Sequence, residues 1–358
     1  MPRGPSILTY HARETLFIKI TSDDGVVGWG ETYRMAGVEA AVREVLTPLL
    51  IGRDALAMRR LHREMLAATF GNGFAVGGVD LALHDLVGKA LGVPVHQLYG
   101  GALREQVTAY ASLPGYHDDR GPEDHWLNEV LDLRRRGFAA MKLRIGRFPV
   151  EREAAVLRSV RDRVGPDLKL MADANAAYSP GLALRMGATL SDLDFAWFEE
   201  PLPQSGYRGY PELRAKLQVP LAGGEGVTSR VNASGLLQRG CFDIIQPDVS
   251  ICGGIAECVL IGELADLSAV RCIPHCWGGA IMLAATLHVA ALLPEPSRMP
   301  GVDAPLLEFD VTENPFRTEI VVDDPFVLHD GCVSVPDRPG LGVDIDERAL
   351  SRYGVQRG

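Results

Sequence analysis

Short apolar runs that end in a charged or polar residue recur along the middle of the chain, with helix-like stretches between them. Each run is long enough for one buried strand, and its last residue would lie at the strand end. The runs cover residues 138–145, 168–175, 195–201, 220–225, 242–248, 270–275 and 305–308. Strands that alternate with helices predict a parallel sheet whose outer face is covered by the helices. Seven or eight such units in about 200 residues favour closure into a barrel.

The stretches between these runs carry helix start signals. Ser179 and Pro180 supply an N-cap residue followed by proline at the first helical position. Ser229 precedes a segment in which apolar residues punctuate polar ones, and residues 255–267 and 280–293 are longer and more apolar. Each of these segments is therefore predicted to be a helix that follows one strand of the sheet.

The first hundred residues follow a different pattern. Residues 15–20 and 26–31 read as two strands around the turn sequence 22–25, Ser-Asp-Asp-Gly, which predicts a hairpin. Helices are predicted at residues 38–50, 54–68 and 79–91, with a glycine-rich loop at residues 70–74. We therefore expect an N-terminal α+β domain at residues 1–108 and a barrel domain at residues 109–312. A C-terminal segment, residues 313–358, would pack back on the N-terminal domain.

Composition favours a metabolic enzyme over a nucleic-acid-binding or membrane protein. The 358 residues are 47% hydrophobic, enough for a large core, and the net charge of −10 argues against nucleic acid or an anionic membrane as partner. The longest apolar stretch, residues 280–293, contains His288 and is too short to span a bilayer. Because the first residues lack the apolar core of a signal peptide, we expect a cytoplasmic location.

The six cysteines form no disulfide or zinc framework. Cys272, His275 and Cys276 are close together in the sequence, but no second cluster completes a zinc site. Buried thiols beside barrel strands are the better interpretation. The chain also lacks a G-x-S-x-G nucleophile motif and a complete phosphate-binding loop.

Seven residues suited to acid–base and metal chemistry fall near the ends of the predicted strands. They are Lys142, Asp173, Glu199, Glu225, Asp248, His275 and Glu308, at steps of 31, 26, 26, 23, 27 and 33 residues. One strand, one helix and two loops take about that many residues, so each barrel strand would deliver one functional side chain to its C-terminal end. The equal spacing of the first three carboxylates predicts that adjacent strands bind one hard divalent cation.

The sequence resembles the enolase superfamily and, within it, the mandelate racemase subgroup. The resemblance rests on motifs that follow one another in order along nearly the whole chain: GGVDLALHDLVGKALGVPVHQLYGG, MKLRIG, MADANAAYS, FEEP, GGEG, QPDVSICGG and IPHCW. It implies an α/β fold, in which an N-terminal α+β capping domain covers a modified TIM barrel of the (β/α)7β type. It also implies one Mg²⁺ in the barrel mouth and abstraction of a proton α to a carboxylate.

The resemblance also implies roles for individual residues. Asp173, Glu199 and Glu225 match the three metal ligands of the family. His275 with Asp248 matches its proton-shuttling dyad, in which the carboxylate fixes the imidazole tautomer and raises its basicity. The remaining matches are Lys142 and Glu308, expected to hold the substrate carboxylate, and Asn175, expected to contact substrate or metal ligands.

Arg144 departs from the family pattern. The racemase motif is Lys-x-Lys, with the second lysine as base for the opposite face of the substrate, whereas this chain reads Lys142-Leu143-Arg144. Arginine binds an oxyanion but does not readily accept a proton, so one-base chemistry is expected. That favours β-elimination of water, with His275 as base. The alternatives are a racemase or epimerase in which Lys142 or a water serves the second face, and a non-catalytic acid-sugar binder.

Substrate recognition is expected from the capping domain. Tyr33 and Arg34 lie in a loop that would close over the barrel and are predicted to contact a distal carboxylate or hydroxyls. The sequence His275-Cys276-Trp277 also resembles the acid-sugar dehydratase form of its motif. The expected function is therefore that of a Mg²⁺-dependent sugar-acid dehydratase with a small-molecule carboxylate substrate. The habit of the family implies a homo-oligomer.

Overall fold

The computed structural model describes residues 3–4, 12–113, 115–117, 119–297, 299 and 301–354. Its strands are β1 (Arg3–Gly4), β2 (Thr15–Thr21), β3 (Val27–Tyr33), β4 (Gln106–Ser112), β5 (Tyr116–His117), β6 (Ala140–Arg144), β7 (Lys169–Asp173), β8 (Phe198–Glu199), β9 (Leu221–Gly223), β10 (Ile244–Ile245), β11 (Arg271–Cys272), β12 (Leu307–Asp310), β13 (Leu328–His329) and β14 (Cys332–Ser334).

The α-helices follow the same chain order. They are α1 (Val38–Ala40), α2 (Thr47–Leu50), α3 (Met58–Ala68), α4 (Gly73–Leu91), α5 (Pro122–Arg135), α6 (Val150–Val164), α7 (Pro180–Asp192), α8 (Tyr210–Lys216), α9 (Arg230–Gln238), α10 (Ile255–Leu267), α11 (Ala280–Leu292), α12 (Pro315–Thr318) and α13 (Glu347–Ser351). A π-helical turn, Ala41–Leu46, joins α1 to α2, and 3₁₀ turns cover Ala55–Ala57, Val95–Tyr99 and Gln204–Gly209.

Eight parallel strands form the central sheet in the described part of the chain. Their spatial order is β12-β4-β6-β7-β8-β9-β10-β11, and helices α5 to α11 fill the seven connections between consecutive strands. This is the predicted (β/α)7β arrangement. Each predicted run contains or overlaps a strand, whereas β4 is not among the predicted runs. No ladder between β11 and β12 appears among the described residues, so hydrogen-bonded closure of the barrel is not observed.

The interior of the barrel is filled by one apolar side chain from each strand or from a residue next to it. These residues are Tyr110, Ala140, Met171, Trp197, Ala222, Ile244, Ile273 and Leu306. Tyr110 and Trp197 are the largest, and their rings meet edge to face with centroids 5.2 Å apart. Because side chains alternate along a strand, the residue two positions further along each strand also points inward. The packed layer therefore forms the floor of a site at the strand ends.

The N-terminal domain packs a hairpin against one long helix. Strands β2 and β3 pair antiparallel as predicted, and the turn closes with a bond from the Gly25 amide to the Ser22 carbonyl. The glycines of β3 let α4 approach closely, since a Cβ at Gly30 would lie 1.9 Å from the carbonyl oxygen of Gly78. Helix α4 begins six residues before the predicted start, because the Asn72 side chain caps it by accepting from Ala75 N at 3.2 Å.

Buried carboxylates on α4 connect the N-terminal domain to the rest of the molecule. Asp80 accepts from Ile255 N, at the start of α10, at 2.8 Å. Asp85 accepts from Trp29 N in β3 at 2.8 Å and from Leu341 N in the C-terminal segment at 2.9 Å. The C-terminal segment also adds β14 antiparallel to the first half of β4. Because β4 runs across the predicted boundary at residue 108, the domain limits stay predictions.

Among the described residues, no helix combines the length and the apolarity that crossing a membrane requires. Helix α11 is fully buried, and its polar residue His288 lies inside the protein. The apolar character of this segment therefore reflects core packing between the barrel and the N-terminal domain.

Candidate active site

Five predicted site residues stand two positions beyond an apolar residue of the barrel floor. The pairs are Ala140 and Lys142, Met171 and Asp173, Trp197 and Glu199, Ile273 and His275, and Leu306 and Glu308. Strand alternation therefore turns all five side chains into the barrel mouth, directly above the floor. All five are buried. The apolar layer below them excludes water and strengthens the interactions among their charges.

Asp248 and His275 form a hydrogen-bonded dyad at the ends of β10 and β11. His275 Nδ1 lies 2.8 Å from Asp248 Oδ2, and the two residues also form an isolated parallel bridge. The backbone N–H and the hydroxyl of Ser250 both donate to Asp248 Oδ1, each at 2.7 Å. The carboxylate is thereby fixed, and it orients the imidazole so that Nε2 faces the barrel mouth. This arrangement is the one expected of a general base.

Lys142 lies at the centre of a group of carboxylates. Its ammonium nitrogen is 2.5 Å from Glu199 Oε1, 2.8 Å from Glu308 Oε1 and 3.6 Å from Asp173 Oδ2. Burial opposes ionisation of Glu199 and Glu308, but Lys142 holds the pKa of both carboxyls below their usual range. The pKa of Lys142 itself is raised by the same carboxylates, against the effect of burial. In this arrangement Lys142 is therefore a cation and not a base.

Arg144 occupies the next inward position of β6. Its guanidinium contacts the Asp173 carboxylate and donates to Asn175 Oδ1 at 3.0 Å and to Ser112 Oγ at 3.4 Å. Asn175 has a left-handed backbone with φ of 43°, and its N–H donates to Asp173 Oδ1 at 2.8 Å. Burial would lower the pKa of Arg144, but Asp173 and further carboxylates raise it. Arg144 is thus a fixed positive charge at the rim of the site.

Glu225 faces the dyad from the loop after β9. Its Oε2 lies 3.6 Å from His275 Nε2, while Glu308 Oε2 lies 4.0 Å from the same nitrogen. Burial opposes protonation of His275, but Glu225 and Glu308 raise its pKa to about 10. His275 therefore holds a proton while these carboxylates are uncompensated. A divalent cation bound to Glu225 would weaken that field and bring the pKa down towards the range of a working base.

The three predicted metal ligands carry the right atoms for a hard dication. Asp173, Glu199 and Glu225 lie on or just after three adjacent strands, and carboxylate oxygens are the donors that Mg²⁺ prefers. Their ligand atoms do not all lie within 4.8 Å of one another among the described residues. Asp173 and Glu199 instead contact the cations Arg144 and Lys142. The donor set fits Mg²⁺ chemically, and the ligand assignment stays a prediction.

The choice of Glu199 over Glu200 agrees with strand alternation. Glu200 points away from Lys142 and accepts from Gln204 Nε2 at 3.1 Å and from Gly224 N at 3.2 Å. Burial, with the charge of Glu225 nearby, raises the pKa of Glu200 to about 8. The side chain therefore braces the loops after β8 and β9 and does not contribute to the lysine-centred group.

The two predicted specificity residues behave differently. The Tyr33 hydroxyl reaches across from the N-terminal domain and donates to Asp248 Oδ2 at 3.1 Å. Arg34 instead pairs with Glu14 at 2.6 Å, with 32% of its side chain exposed. The structure thus brings Tyr33 into the site through the dyad and does not bring Arg34 to it. A direct substrate contact by either residue stays a prediction.

Several contributors to the site were not singled out from the sequence. Trp197 Nε1 and Gln246 Nε2 both donate to Glu199 Oε2, each at 2.9 Å. They hold the face of Glu199 that does not contact Lys142. Strand alternation could have predicted both residues. Trp197 stands two residues before Glu199 and Gln246 two before Asp248, so each points to the same side of its strand as the acid that follows it.

Glu31 fixes the loop that follows the base. It is fully buried in β3 and accepts from Gly279 N at 2.5 Å and from Met282 N at 3.1 Å, at the N-terminus of α11. Burial raises the pKa of this carboxyl to about 7. Cys276 N in turn donates to Glu308 Oε2 at 3.2 Å. The segment from His275 to α11 is thus held by both domains.

The barrel has this strand order, is covered by an N-terminal domain, and carries a dyad and a lysine–carboxylate group at its strand ends. These features together define an enzyme of the enolase superfamily. Two family models match the chain: the mandelate racemase / muconate lactonizing enzyme N-terminal domain over residues 1–100, and the enolase C-terminal domain-like model over residues 126–349. The chain therefore belongs to the mandelate racemase/muconate lactonizing enzyme family, as the resemblance implied.

Relatives that cover nearly the whole chain act on sugar acids and their lactones by name. The chain is 36% identical to the D-galactarolactone cycloisomerase of Agrobacterium fabrum, over 98% of this chain and 94% of the relative. It is 33% identical to the arabinonate dehydratase of Saccharolobus solfataricus, over 97% and 92%. Both relatives span the N-terminal domain as well as the barrel.

Solved structures agree with these relatives. The 3,6-anhydro-D-galactonate cycloisomerase of Zobellia galactanivorans superposes with a TM-score of 0.86 at 34% identity, over 95% of this chain and 94% of that one. A variant L-talarate/galactarate dehydratase, liganded with Mg and L-glucarate, superposes with a TM-score of 0.86 at 27% identity, over 98% and 87%. Magnesium is thus present in a solved relative of the same fold.

Proposed function

We propose that this enzyme is a sugar-acid dehydratase that removes the proton α to a carboxylate and expels the β-hydroxyl as water. The observation that carries the proposal is the asymmetry of the site. A hydrogen-bonded Asp248–His275 dyad supplies one base, while Arg144 occupies the position where the racemase pattern has a second. A site with one proton acceptor suits elimination better than inversion at the α-carbon.

The chain's own residues account for the positioning of a carboxylate substrate. Lys142 and Arg144 place two permanent positive charges in the barrel mouth, and each binds an oxyanion well. The Glu308 carboxylate lies 2.8 Å from the Lys142 ammonium and would hold that cation in place for the same substrate group. Asn175 is fixed beside Arg144 by its bond at 3.0 Å. These groups would present the α-carbon to one face of the site.

Proton transfer is assigned to His275. Nε2 takes the α-proton, and the electron pair of the broken C–H bond moves towards the carboxylate. Asp248 stabilises the imidazolium through Nδ1–H. As the C–O bond to the β-carbon breaks, His275 returns the proton to the departing hydroxyl, which leaves as water. The enol that remains becomes a 2-keto-3-deoxy acid, and the base is restored.

A metal ion completes the proposed chemistry. When bound, Mg²⁺ supplies Lewis-acid stabilisation of the negative charge that develops on the substrate carboxylate. Asp173, Glu199 and Glu225 would hold it. Support comes from the oxygen-rich donor set and from the magnesium found in the solved dehydratase relative.

The test is a panel of aldonic acids, aldaric acids and their lactones, incubated with enzyme and Mg²⁺ in D₂O and followed by proton NMR and mass spectrometry. We expect one or a few acids to give a 2-keto-3-deoxy product that has lost one water and carries one solvent deuterium at C3. Deuterium at the α-carbon of recovered substrate, without product, would favour the racemase or epimerase instead. A panel with neither product nor exchange would contradict all of these activities.

Cycloisomerisation of a lactone is the second candidate. It is favoured by the sequence similarity to the Agrobacterium fabrum enzyme and by the solved Zobellia galactanivorans structure, both cycloisomerases by name. The two reactions share the removal of an α-proton but differ in the leaving group. Apart from solvent deuterium taken up at carbon, an isomerisation leaves the mass of the substrate unchanged, whereas dehydration lowers it by one water. The same panel therefore separates them.

A further inference from the structure

A second cluster of metal-binding side chains lies away from the barrel mouth. His117 closes β5, and His125 and Glu129 follow on α5, four residues apart and so on one face of the helix. One ligand atom from each of the three residues lies within 4.8 Å of the other two, and no other such group occurs among the described residues. The three residues come from two elements, β5 and α5, so the fold brings His117 to the other two.

The distances suit a transition metal. His117 Nε2 is 3.0 Å from Glu129 Oε1, and His125 Nδ1 is 3.3 Å from Glu129 Oε2. Bonds of about 2.0–2.2 Å in a tetrahedral site place neighbouring ligand atoms about 3.3 Å apart. The cluster therefore already has close to the spacing that a bound ion would impose, without a large movement of either element.

His125 supplies an independent indication. The residue is only 3% exposed, yet neither of its ring nitrogens has a partner with hydrogen-bond geometry. A buried imidazole without hydrogen bonds costs free energy, and most such groups are satisfied in folded proteins. Coordination of an ion through Nδ1, which points towards the Glu129 carboxylate, would satisfy the ring.

We propose that His117, His125 and Glu129 form a Zn²⁺-type site, distinct from the carboxylate site in the barrel mouth. Two imidazoles and one carboxylate are a borderline-soft donor set that selects zinc or a similar transition metal over Mg²⁺. Three protein ligands leave a fourth position for water. The Glu129 side chain, 21% exposed, gives the ion a path from solvent.

The role of the site is structural. It ties β5 to α5, and Tyr116, which precedes His117, donates its hydroxyl to the buried Glu153. Glu153 accepts from Gly146 N at 2.8 Å and from Arg147 N at 3.1 Å in the loop after β6. An ion would therefore stiffen the connections on the side of the barrel that carries Lys142 and Arg144. This inference does not depend on the proposed dehydratase activity.

Zinc binding tests the inference directly. The enzyme is stripped with chelator and titrated with Zn²⁺ in a large excess of Mg²⁺, which occupies the carboxylate site, and bound zinc is counted by mass spectrometry. Glu129→Gln and His125→Asn are compared with His329→Asn, a control at an exposed histidine outside the cluster. Melting temperatures without zinc show whether each variant folds.

We expect the wild type and His329→Asn each to bind one more zinc ion per chain than Glu129→Gln and His125→Asn do. Zinc should raise the melting temperature of the first two proteins only. Cobalt in place of zinc should give the visible absorption of a four-coordinate ion, and the cluster variants should lose it. Equal zinc binding by all four proteins, or none by the wild type in excess Mg²⁺, would overturn the inference.

Discussion

Arg144 contacts the Asp173 carboxylate and the Asn175 side chain, at the position where the family's second base would stand. A lysine there could lose its proton more readily, because the intrinsic pKa of an amine lies well below that of a guanidinium, which keeps its charge. The identity of this one side chain therefore decides whether the second face of the substrate meets a proton acceptor.

Arg144→Lys is expected to introduce that acceptor. Recovered substrate should acquire α-deuterium with inverted configuration in D₂O, at a rate about tenfold or more above wild type, a gain that one added acid–base group can supply. Dehydration should fall because the contacts with Asp173 and Asn175 are lost. Proton NMR of the recovered acid measures both. Arg144→Gln, which removes the charge without adding a base, should show no exchange; exchange in that control as well would contradict the assignment.

Tyr33 is a positioning residue for the dyad in this structure, since its hydroxyl donates to Asp248 Oδ2 at 3.1 Å. Tyr33→Phe should lower kcat about tenfold, the value of one hydrogen bond to a charged group. Without the Tyr33 hydroxyl, the negative charge of Asp248 acts more strongly on His275 and should raise its pKa. The acid limb of the pH–rate profile should therefore move to higher pH.

Kinetics of Tyr33→Phe at several pH values provide the measurement, and Tyr353→Phe, at the surface, is the matched control. A change confined to KM, with the pH profile unmoved, would instead support the substrate contact predicted from the sequence.

For individual residues, the sequence predicts which side chains belong to the site better than it predicts which side chains contact each other. Alternation and spacing bring Lys142, Glu199 and His275 into one mouth, because each follows an apolar residue of the floor by two positions. Spacing cannot show that Glu14 pairs with Arg34, since the two are 20 residues apart and their contact depends on how the N-terminal loops fold. The histidine cluster was missed for the same reason, as His117 joins α5 only through the fold.

Among the elements, α4 shows how glycine determines domain packing. Its glycines at the start face backbone: a Cβ at Gly73 would lie 2.0 Å from the Ile251 carbonyl oxygen, and one at Gly77 would lie 2.6 Å from that of Ser250. The first turns of the helix therefore rest on the loop that follows Asp248. From sequence alone these glycines suggest a loop, because glycine disfavours helices unless packing requires it.

Gly30→Ala is expected to destabilise the enzyme by about 3 kcal/mol or more, since the new methyl group would meet the backbone of α4 and overpacking forces the two elements apart. Gly235→Ala, in α9, meets nothing within 4 Å and should stabilise by up to about 1 kcal/mol through helix propensity. Chemical unfolding of both variants measures the difference. Equal stabilities would show that β3 and α4 are less closely packed than the structure has them.

The strand β4 shows where pattern reading fails for a whole element. Each predicted run contains one of the seven charged or imidazole site residues, whereas β4 contains none and ends at Ser112, so the spacing of those residues does not mark it. Yet β4 pairs with β6, β12 and β14 and so connects the first and last strands of the barrel with the C-terminal segment. Such non-local pairing is encoded in the packing of both faces and not in any local signal.

The stability of the whole molecule should depend on pH through a histidine that is buried where α11 packs against its neighbours. His288 is buried in α11, where Nε2 donates to the Leu341 carbonyl at 3.3 Å, and His96 and His84 lie around it. Burial and the nearby His96 lower the pKa of His288 to about 3. The unfolded chain takes up a proton near its ordinary pKa, whereas the folded protein does not.

Stability should therefore fall as the pH drops from about 6.5 towards 3, by about 1.4 kcal/mol per pH unit from this residue alone. His288→Gln keeps a donor for the Leu341 carbonyl and removes the titration, so its stability curve should be flatter over that range. Unfolding in denaturant at several pH values provides the measurement, with exposed His329→Gln as control. Parallel curves for wild type and His288→Gln would contradict the assignment.

The central claim is that His275, held by Asp248, is the single base of an elimination reaction. The panel identifies the substrate. The most direct measurement is then the rate at which the His275→Asn variant converts that substrate in D₂O, with Mg²⁺ affinity measured on the same variant. We predict that product formation and α-deuterium exchange both fall about 10³-fold, the range for a positioned base, while metal binding is retained. Product formation at an undiminished rate with normal metal binding would contradict it.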